Sequence, residues 1–180
     1  KPIISDEEWD KMYFELVKLE NFHKCYWEDS PTQRINFQTV SDLKKITHEH
    51  PMLSLDKTKD IEDVKKFIGK KDSIAMLKMD GLTCSLTYEN GYLVRAETRG
   101  NGVVGEDVLH NVFQIKNVPN RINYKDRLVV DGEIICTYRD FVKFGFNQEY
   151  KNPRNFASGS IRLLNSEESA MRQLRFVAWD

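Results

Sequence analysis

Apolar side chains near the start of the chain recur at the spacing of an α-helix. Ser5-Asp6-Glu7-Glu8 has the Ser-x-x-Glu spacing of a capping box. The residues that follow at intervals of three and four are Trp9, Met12, Tyr13, Leu16 and Leu19. This spacing predicts an amphipathic helix of about four turns. The pattern from residue 21 to residue 50 has no sustained period and predicts a connector with short helical pieces.

From residue 73 onward the pattern becomes that of short strands. Asn90-Gly91 separates two alternating runs, 82–88 and 92–98, and this arrangement is a strong signal for a type I′ hairpin. The apolar run 74–77 predicts a buried strand that leads into Lys78. Further helices are predicted over 60–68 and 105–115, and a further strand over 127–137. Short strands and helices in irregular order favour an α+β fold over a doubly wound sheet.

Composition narrows the class of protein without identifying it. The chain has 180 residues, 40% of them hydrophobic and 31% charged, which is typical of a soluble protein with one core. No run approaches the roughly eighteen apolar residues of a membrane span, and no signal-peptide pattern is present, so we expect a cytoplasmic protein. Three well-separated cysteines, Cys25, Cys84 and Cys136, favour small buried thiols over a disulfide framework or a zinc site.

The charges nearly cancel, with 27 lysines and arginines against 28 aspartates and glutamates. Any contact with a nucleic acid would therefore have to be local. The densest basic stretch carries Arg154, Arg162, Arg172 and Arg175.

Lys78 is the first candidate for a nucleophile. It opens the run Lys78-Met79-Asp80-Gly81 at the end of the predicted buried strand, where an amine is costly to desolvate unless it is used. The alternative is an exposed lysine beside an Asp-Gly turn.

Four blocks of sequence place this lysine in a wider context. Residues 78–81, 98–108, 131–133 and 152–162 resemble, in this order, successive motifs of the NAD-dependent DNA ligases. Residues 4–10, 29–34 and 50–56 extend the resemblance over nearly the whole chain. It implies an ATP-grasp-like nucleotidyltransferase (adenylation) domain over residues 49–180, built of antiparallel sheets with flanking helices. A partial helical subdomain that binds nicotinamide mononucleotide, with its connector, would precede it over residues 1–48.

The resemblance also implies roles for individual residues. Lys78 would attack the adenylyl phosphorus of NAD, release nicotinamide mononucleotide and remain as lysyl-AMP, while Asp80 positions it or contacts the leaving side of the nucleotide. The nucleotide-binding residues would be Ser54, Leu55, Arg99, Glu133, Arg154 and Arg162. The residues that bind nicotinamide mononucleotide would be Asp6, Trp9 and Asp10. Mg²⁺ is expected as a second cofactor, although no carboxylate cluster identifies its ligands.

Elementary chemistry is consistent with these roles. Arginines present planar donor forks to phosphate oxygens. Pro153 after Asn152 predicts the entry to a turn or helix, and in a helix the eight-residue spacing of Arg154 and Arg162 would place them near one face. A carboxylate such as Glu133 can accept hydrogen bonds from ribose hydroxyls. The plainer alternatives are surface arginines, a solvent-facing strand carboxylate and, for Asp6 and Asp10, acidic residues that complement the start of a helix.

The resemblance implies a complete reaction, in which AMP passes to the 5′-phosphate of a nick in duplex DNA and the 3′-hydroxyl displaces it. We expect a monomer that contacts no membrane. Because the later motifs of the family are missing, we expect a fragment that cannot efficiently seal nicks alone. Two alternatives stay open. One is a nucleotidyltransferase of the RNA-ligase or capping type that uses ATP or GTP. The other is a non-catalytic nucleotide-binding module, suggested by Met76 and Asn101, which stand where the motifs usually have Glu and Asp.

Overall fold

The structure, a computed structural model, describes residues 6–25, 27, 30–32, 42–52 and 56–179. Its helices are α1 (Asp6–His23), α2 (Ile61–Ile68), α3 (Leu109–Val112), α4 (Tyr138–Lys143), α5 (Pro153–Ser160) and α6 (Ser166–Ala170). Its strands are β1 (Lys45–Thr47), β2 (Leu82–Glu89), β3 (Tyr92–Thr98), β4 (Val104–Glu106), β5 (Leu128–Ile135) and β6 (Arg175–Ala178). This mixture of helices and antiparallel strands confirms the α+β class. No helix in the described ranges is both long and apolar enough to cross a membrane.

The chain divides into two compact units, Lys1–Val40 and Ser41–Asp180. The domain boundary predicted after residue 48 stays a prediction, and β1, which pairs with β4 in the larger unit, argues for a limit a few residues earlier.

The predicted N-terminal helix is confirmed as α1, which runs for 18 residues. Its predicted capping residue, Ser5, lies outside the described residues. Trp9 and Met12 are exposed, and the Trp9 ring stacks on the Tyr13 ring with 5.1 Å between centroids.

The larger unit is built on a four-stranded antiparallel sheet in the order β3-β2-β5-β6. The predicted hairpin joins β2 to β3. Asn90 and Gly91 have φ angles of +52° and +83°, the left-handed conformations that a type I′ turn requires at both positions. The helix predicted over 60–68 is also confirmed, since α2 is capped by the Asp60 side chain and ends at Gly69, whose φ is +57°.

The two faces of this sheet differ in polarity because successive side chains of a strand point to opposite sides. One face carries Cys84, Leu86 and Ile134, which are buried against Phe156 and Ile161 at α5. The other face is polar and includes paired positions of β2, β3 and β5. These positions are Thr83, Ser85, Glu97, Asp131 and Glu133.

Two sequence-based predictions of secondary structure are wrong. Residues 72–80 form no strand, and Ile74 and Leu77 are 94% and 81% exposed, because a strand requires a hydrogen-bonded neighbour and no described residue supplies one. The helix predicted from Gly105 starts later, since Val104–Glu106 pairs with β1 as strand β4. The short strand β1 was itself missed within the predicted connector.

The cysteines follow the prediction at two of three positions. Cys84 and Cys136 are buried free thiols, whereas Cys25 is exposed, so the prediction of a buried thiol is wrong there. Burial raises the pKa of the Cys136 thiol to about 11, which makes it a poor nucleophile at neutral pH.

Candidate active site

Glu133 on β5 fixes the end of the segment that carries Lys78. Its carboxylate accepts hydrogen bonds from the Gly81 backbone N–H at 3.2 Å and from Thr83 Oγ1 at 3.1 Å. Gly81 lies so close to β5 that an added Cβ would stand 2.1 Å from the Ile134 carbonyl oxygen. Lys78 therefore sits three residues before a point that is held tightly against the polar face of the sheet.

A second contact reaches the same segment from α5. Arg154 donates from Nη1 to Asp80 Oδ1 at 2.9 Å, and both side chains are largely exposed. The sequence predicts the start of α5 correctly, because Pro153 is its first residue and the Asn152 side chain accepts from Asn155 N–H. Lys78 itself is exposed. The premise that it ends a buried strand is therefore wrong, and the alternative of an exposed lysine beside the Asp-Gly turn describes its position.

Arg99 leaves the end of β3 with its backbone fixed on both sides. Its N–H donates to the Thr83 carbonyl at 3.1 Å, and its carbonyl accepts from His48 Nε2 at 2.9 Å and from Gly102 N–H at 2.9 Å. Among the described residues the Arg99 guanidinium makes no ion pair, and the side chain is partly exposed. The backbone that carries this cation is held by the three hydrogen bonds above.

The glycine-rich turn after Arg99 is built from unusual backbone geometry. Gly100 and Gly102 have φ angles of +54° and +89°, which side chains with a Cβ rarely adopt. Asn101 Oδ1 accepts from Val103 N–H at 3.0 Å and from Val104 N–H at 2.7 Å. The amide oxygen thus takes both acceptor contacts that a carboxylate would make there, so Asn101 preserves the turn.

Arg162 belongs to a different cluster from Arg154. Its Nε donates to Glu106 at 2.5 Å, and Lys45 Nζ donates to the same carboxylate at 2.9 Å. Burial opposes ionisation of Glu106, but the hydrogen bonds from Arg162 and Lys45 outweigh it and hold the pKa of Glu106 below its ordinary value. Because α5 ends at Ser160, Arg162 lies beyond the helix.

Asn111 is a residue that sequence reasoning missed. It is fully buried on α3, and its Nδ2 donates to the carbonyls of Ile161 at 2.7 Å and Leu163 at 2.6 Å, the two neighbours of Arg162. The partners are about fifty positions away in sequence, so no local pattern could have indicated this contact. Asn111 fixes the backbone that carries Arg162.

The structure thus joins some predicted site residues and leaves others apart. Glu133 holds Gly81, and Asp80 meets Arg154, whereas Arg162 is engaged by Glu106. Ser54 and Leu55 lie outside the described residues. Asp6 and Asp10 belong to α1, but their side chains lie outside what the structure describes, and Trp9 is exposed on the same helix.

Comparison with known proteins connects this geometry to a chemistry. Residues 40–180 match the family model of the NAD-dependent DNA ligase adenylation domain. Residues 1–36 match the model of the DNA ligase-like, N-terminal NAD⁺-binding domain. The chain belongs to the NAD-dependent DNA ligase family.

Individual relatives agree with the family models. DNA ligases of Lachnoclostridium phytofermentans, Ruminiclostridium cellulolyticum and Mycoplasma pneumoniae are 44%, 42% and 41% identical to this chain. The matches cover 99%, 98% and 97% of the chain, but 28% of each relative. The chain therefore spans little more than a quarter of the length of these ligases, and its larger unit is the part that matches the adenylation-domain model.

The polar face of the sheet suits the family's nucleotide. Asp131 Oδ1 is buried without a hydrogen-bond partner among the described residues, and it lies two positions from Glu133 on the same strand. Both carboxylates can accept from hydroxyl or amino groups of a nucleotide. Within the described ranges, no group of three or more His, Cys, Asp and Glu side chains could hold a metal ion, so Mg²⁺ stays an expectation.

Proposed function

We propose that this chain is the module of an NAD-dependent DNA ligase that accepts AMP from NAD on Lys78. The observation that carries the proposal is the tie between Gly81 and Glu133, which sets the lysine-bearing segment against the polar face of the sheet. This tie lies within the span that matches the adenylation domain. The face and the lysine together would form the nucleotide site, within the ATP-grasp-like architecture that the family implies.

The proposed step exchanges one phosphorus bond for another. The amine of Lys78 loses its proton and attacks the adenylyl phosphorus of NAD, so that a P–N bond forms. The P–O bond to the second phosphate breaks, and nicotinamide mononucleotide leaves with the bonding electrons. Mg²⁺ that arrives with the nucleotide would offset the charge on the phosphates.

The neighbouring residues would bind and orient the nucleotide. Arg99 offers a partly exposed guanidinium on a fixed backbone, which suits a phosphate oxygen. Glu133 would accept from the ribose while it keeps its hold on Gly81. We propose phosphate contacts for Arg154 and Arg162 as well, with Arg154 exchanging Asp80 for the phosphate when NAD binds. Ser54 and Leu55 would line the adenylate.

The N-terminal unit would supply selectivity for NAD. The exposed Trp9 ring stacks on the partly buried Tyr13 ring, and an exposed aromatic face of this kind suits the nicotinamide ring. We propose that Asp6 and Asp10, one helical turn apart on α1, contact the same mononucleotide.

The later steps would involve DNA. AMP would pass from Lys78 to the 5′-phosphate of a nick in duplex DNA, and the 3′-hydroxyl would then displace it, in the cytoplasm and with a monomeric enzyme. These steps are proposed for the ligase as a whole, with the parts of its length that lie beyond the quarter matched here.

The choice of nucleotide tests the proposal against its alternatives. The purified chain is incubated with NAD or ATP that carries a label in the adenylyl phosphate, and protein-bound label is measured. We expect label from NAD and none from ATP. Label from ATP would indicate an RNA-ligase or capping type of enzyme, and NAD binding in calorimetry without bound label would indicate a non-catalytic module.

A further inference from the structure

His48 occupies an unusual position beneath the site. Its side chain is only 1% exposed, and both ring nitrogens have partners. Nδ1 lies 3.1 Å from Glu97 Oε1, and Nε2 lies 2.9 Å from the carbonyl oxygen of Arg99.

The partner of Nε2 fixes one proton on the ring. A carbonyl oxygen can only accept, so Nε2 carries a proton and donates it to the Arg99 carbonyl. Arg95 Nη2 donates to the other oxygen of Glu97 at 2.7 Å, so the carboxylate that faces Nδ1 is itself held in place.

Several contacts of His48 meet in the glycine-rich turn that follows Arg99. The His48 backbone N–H donates to the Val103 carbonyl at 2.8 Å, and Nε2 holds the Arg99 carbonyl. A Cβ added to Gly105 would stand 2.8 Å from His48 Cε1, so the ring packs directly against β4. His48 thus contacts both ends of the segment 99–105 through its backbone and its ring.

We propose that His48 is a positioning residue that holds Arg99 at the nucleotide site through Nε2. The inference rests on the proposed function, because Arg99 is assigned there to the phosphates. Nδ1 faces Glu97, and the proton on Nε2 links the ring to the Arg99 backbone. Loss of the Nε2 donor would remove this hydrogen bond from the Arg99 carbonyl and release one end of the turn.

Charged groups surround the Nδ1 side of His48. Glu97 and Arg95 belong to β3, and Asp107 faces Glu97 across an isolated backbone bridge. Arg95 also pairs with Glu49 at 2.6 Å. The contact with Arg99 lies on the other side of the ring, at Nε2, so substitutions of His48 itself test it.

Nuclear magnetic resonance of the chain labelled with ¹⁵N tests the inference without NAD. We expect Nε2 of His48 to show the shift of a protonated nitrogen. In H48N, which removes the donor at Nε2, we expect the amide signals of Arg99, Gly100 and Gly102 to move, and in H48Q, which keeps an amide donor near that position, we expect smaller changes. H50Q is the matched control, since His50 is exposed and should leave these signals in place.

An unprotonated Nε2 in the wild-type chain would overturn the inference, and so would H48N with unchanged amide signals in the turn. AMP attachment supplies the functional readout. We expect H48N to slow it roughly tenfold at subsaturating NAD, the scale of loss from one misplaced binding group, and H48Q to recover part of the rate. Equal rates for H48N and the wild type would refute the positioning role. Absence of AMP from the wild type would refute the proposed function alone.

Discussion

The segment that carries Lys78 and the turn that carries Arg99 are held in opposite ways. Residues 72–80 have no strand partner among the described residues, and their apolar side chains Ile74 and Leu77 are exposed. Residues 98–106 are buried or tied by hydrogen bonds to β1, β2 and His48. Lys78, the proposed nucleophile, thus stands on a segment with few contacts, whereas the turn that carries Arg99 is tied at both ends. Such an arrangement would let the turn bind the nucleotide while the lysine adjusts to it.

The largest effect is expected at Gly81, where the segment that carries Lys78 meets β5. Gly81→Ala would place a Cβ 2.1 Å from the Ile134 carbonyl oxygen and 2.8 Å from Ile135 Cγ2, so we expect a loss of about 3 kcal/mol in the free energy of unfolding. Urea unfolding measures it. In the control Gly159→Ala, the nearest atom is 3.5 Å away, and a helical alanine should be neutral or stabilising. Equal losses in the two variants would contradict the account.

The next largest effect is expected at Asn111, which holds the backbone on both sides of Arg162. Asn111→Ala removes both hydrogen bonds to the carbonyls beside Arg162. The buried Ile161 carbonyl loses its side-chain donor, whereas the Leu163 carbonyl keeps a hydrogen bond from His110 Nε2 at 3.0 Å, so we expect a loss of about 2 kcal/mol. The same urea experiment checks it, with Asn120→Ala at an exposed position as control. A variant at position 111 as stable as the wild type would show that the stability of the fold does not depend on the two hydrogen bonds of Asn111.

A smaller, pH-dependent effect is expected from the buried ion cluster. The pKa of Glu106 is lower in the folded protein than its ordinary value of 4.5. Its ionisation therefore stabilises the fold fully above pH 4.5, and this contribution is lost as the pH falls through the folded value. Glu106→Gln should cost about 1.5 kcal/mol at pH 7, and the difference from the wild type should shrink in acid.

Unfolding midpoints at pH 7 and at pH 3 measure this difference. Glu62→Gln removes a carboxylate from an exposed pair with Lys65 and should show little change at either pH. A difference for Glu106→Gln that grows in acid would reverse the predicted sign.

The smallest effect on stability is expected on the loose segment itself. Asp80→Asn breaks an ion pair whose side chains are 72% and 55% exposed, so the thermal midpoint should change little, by less than about 1 kcal/mol in free energy. Attachment of AMP should still slow, because Asp80 lies two positions from Lys78, the lysine proposed to react. A large drop in the midpoint would show that the segment is more firmly held than the contacts indicate.

The parts of the fold that the sequence predicted are those with local causes. The Asn90-Gly91 hairpin follows from two residues that tolerate positive φ, and the start of α5 follows from Asn152 and Pro153. The strand predicted over 74–77 failed because apolar content does not supply a partner strand.

The long-range contacts within the candidate site could not be predicted from local sequence patterns. Glu106 meets Arg162 across 56 positions, and His48 meets Arg99 across 51. Only the packing of distant helices, strands and turns brings these residues together. Motif resemblance indicated which residues matter, whereas the structure shows what holds Arg99, Glu133 and Arg162 in place.

The central claim is that Lys78 receives AMP from NAD. Peptide mass mapping of the chain after incubation with NAD and Mg²⁺ tests it most directly, with Lys78→Arg as a control that keeps the positive charge. We expect AMP on the peptide that contains Lys78 in the wild-type chain, and none in Lys78→Arg. AMP on another lysine, or equal attachment in the two proteins, would contradict it.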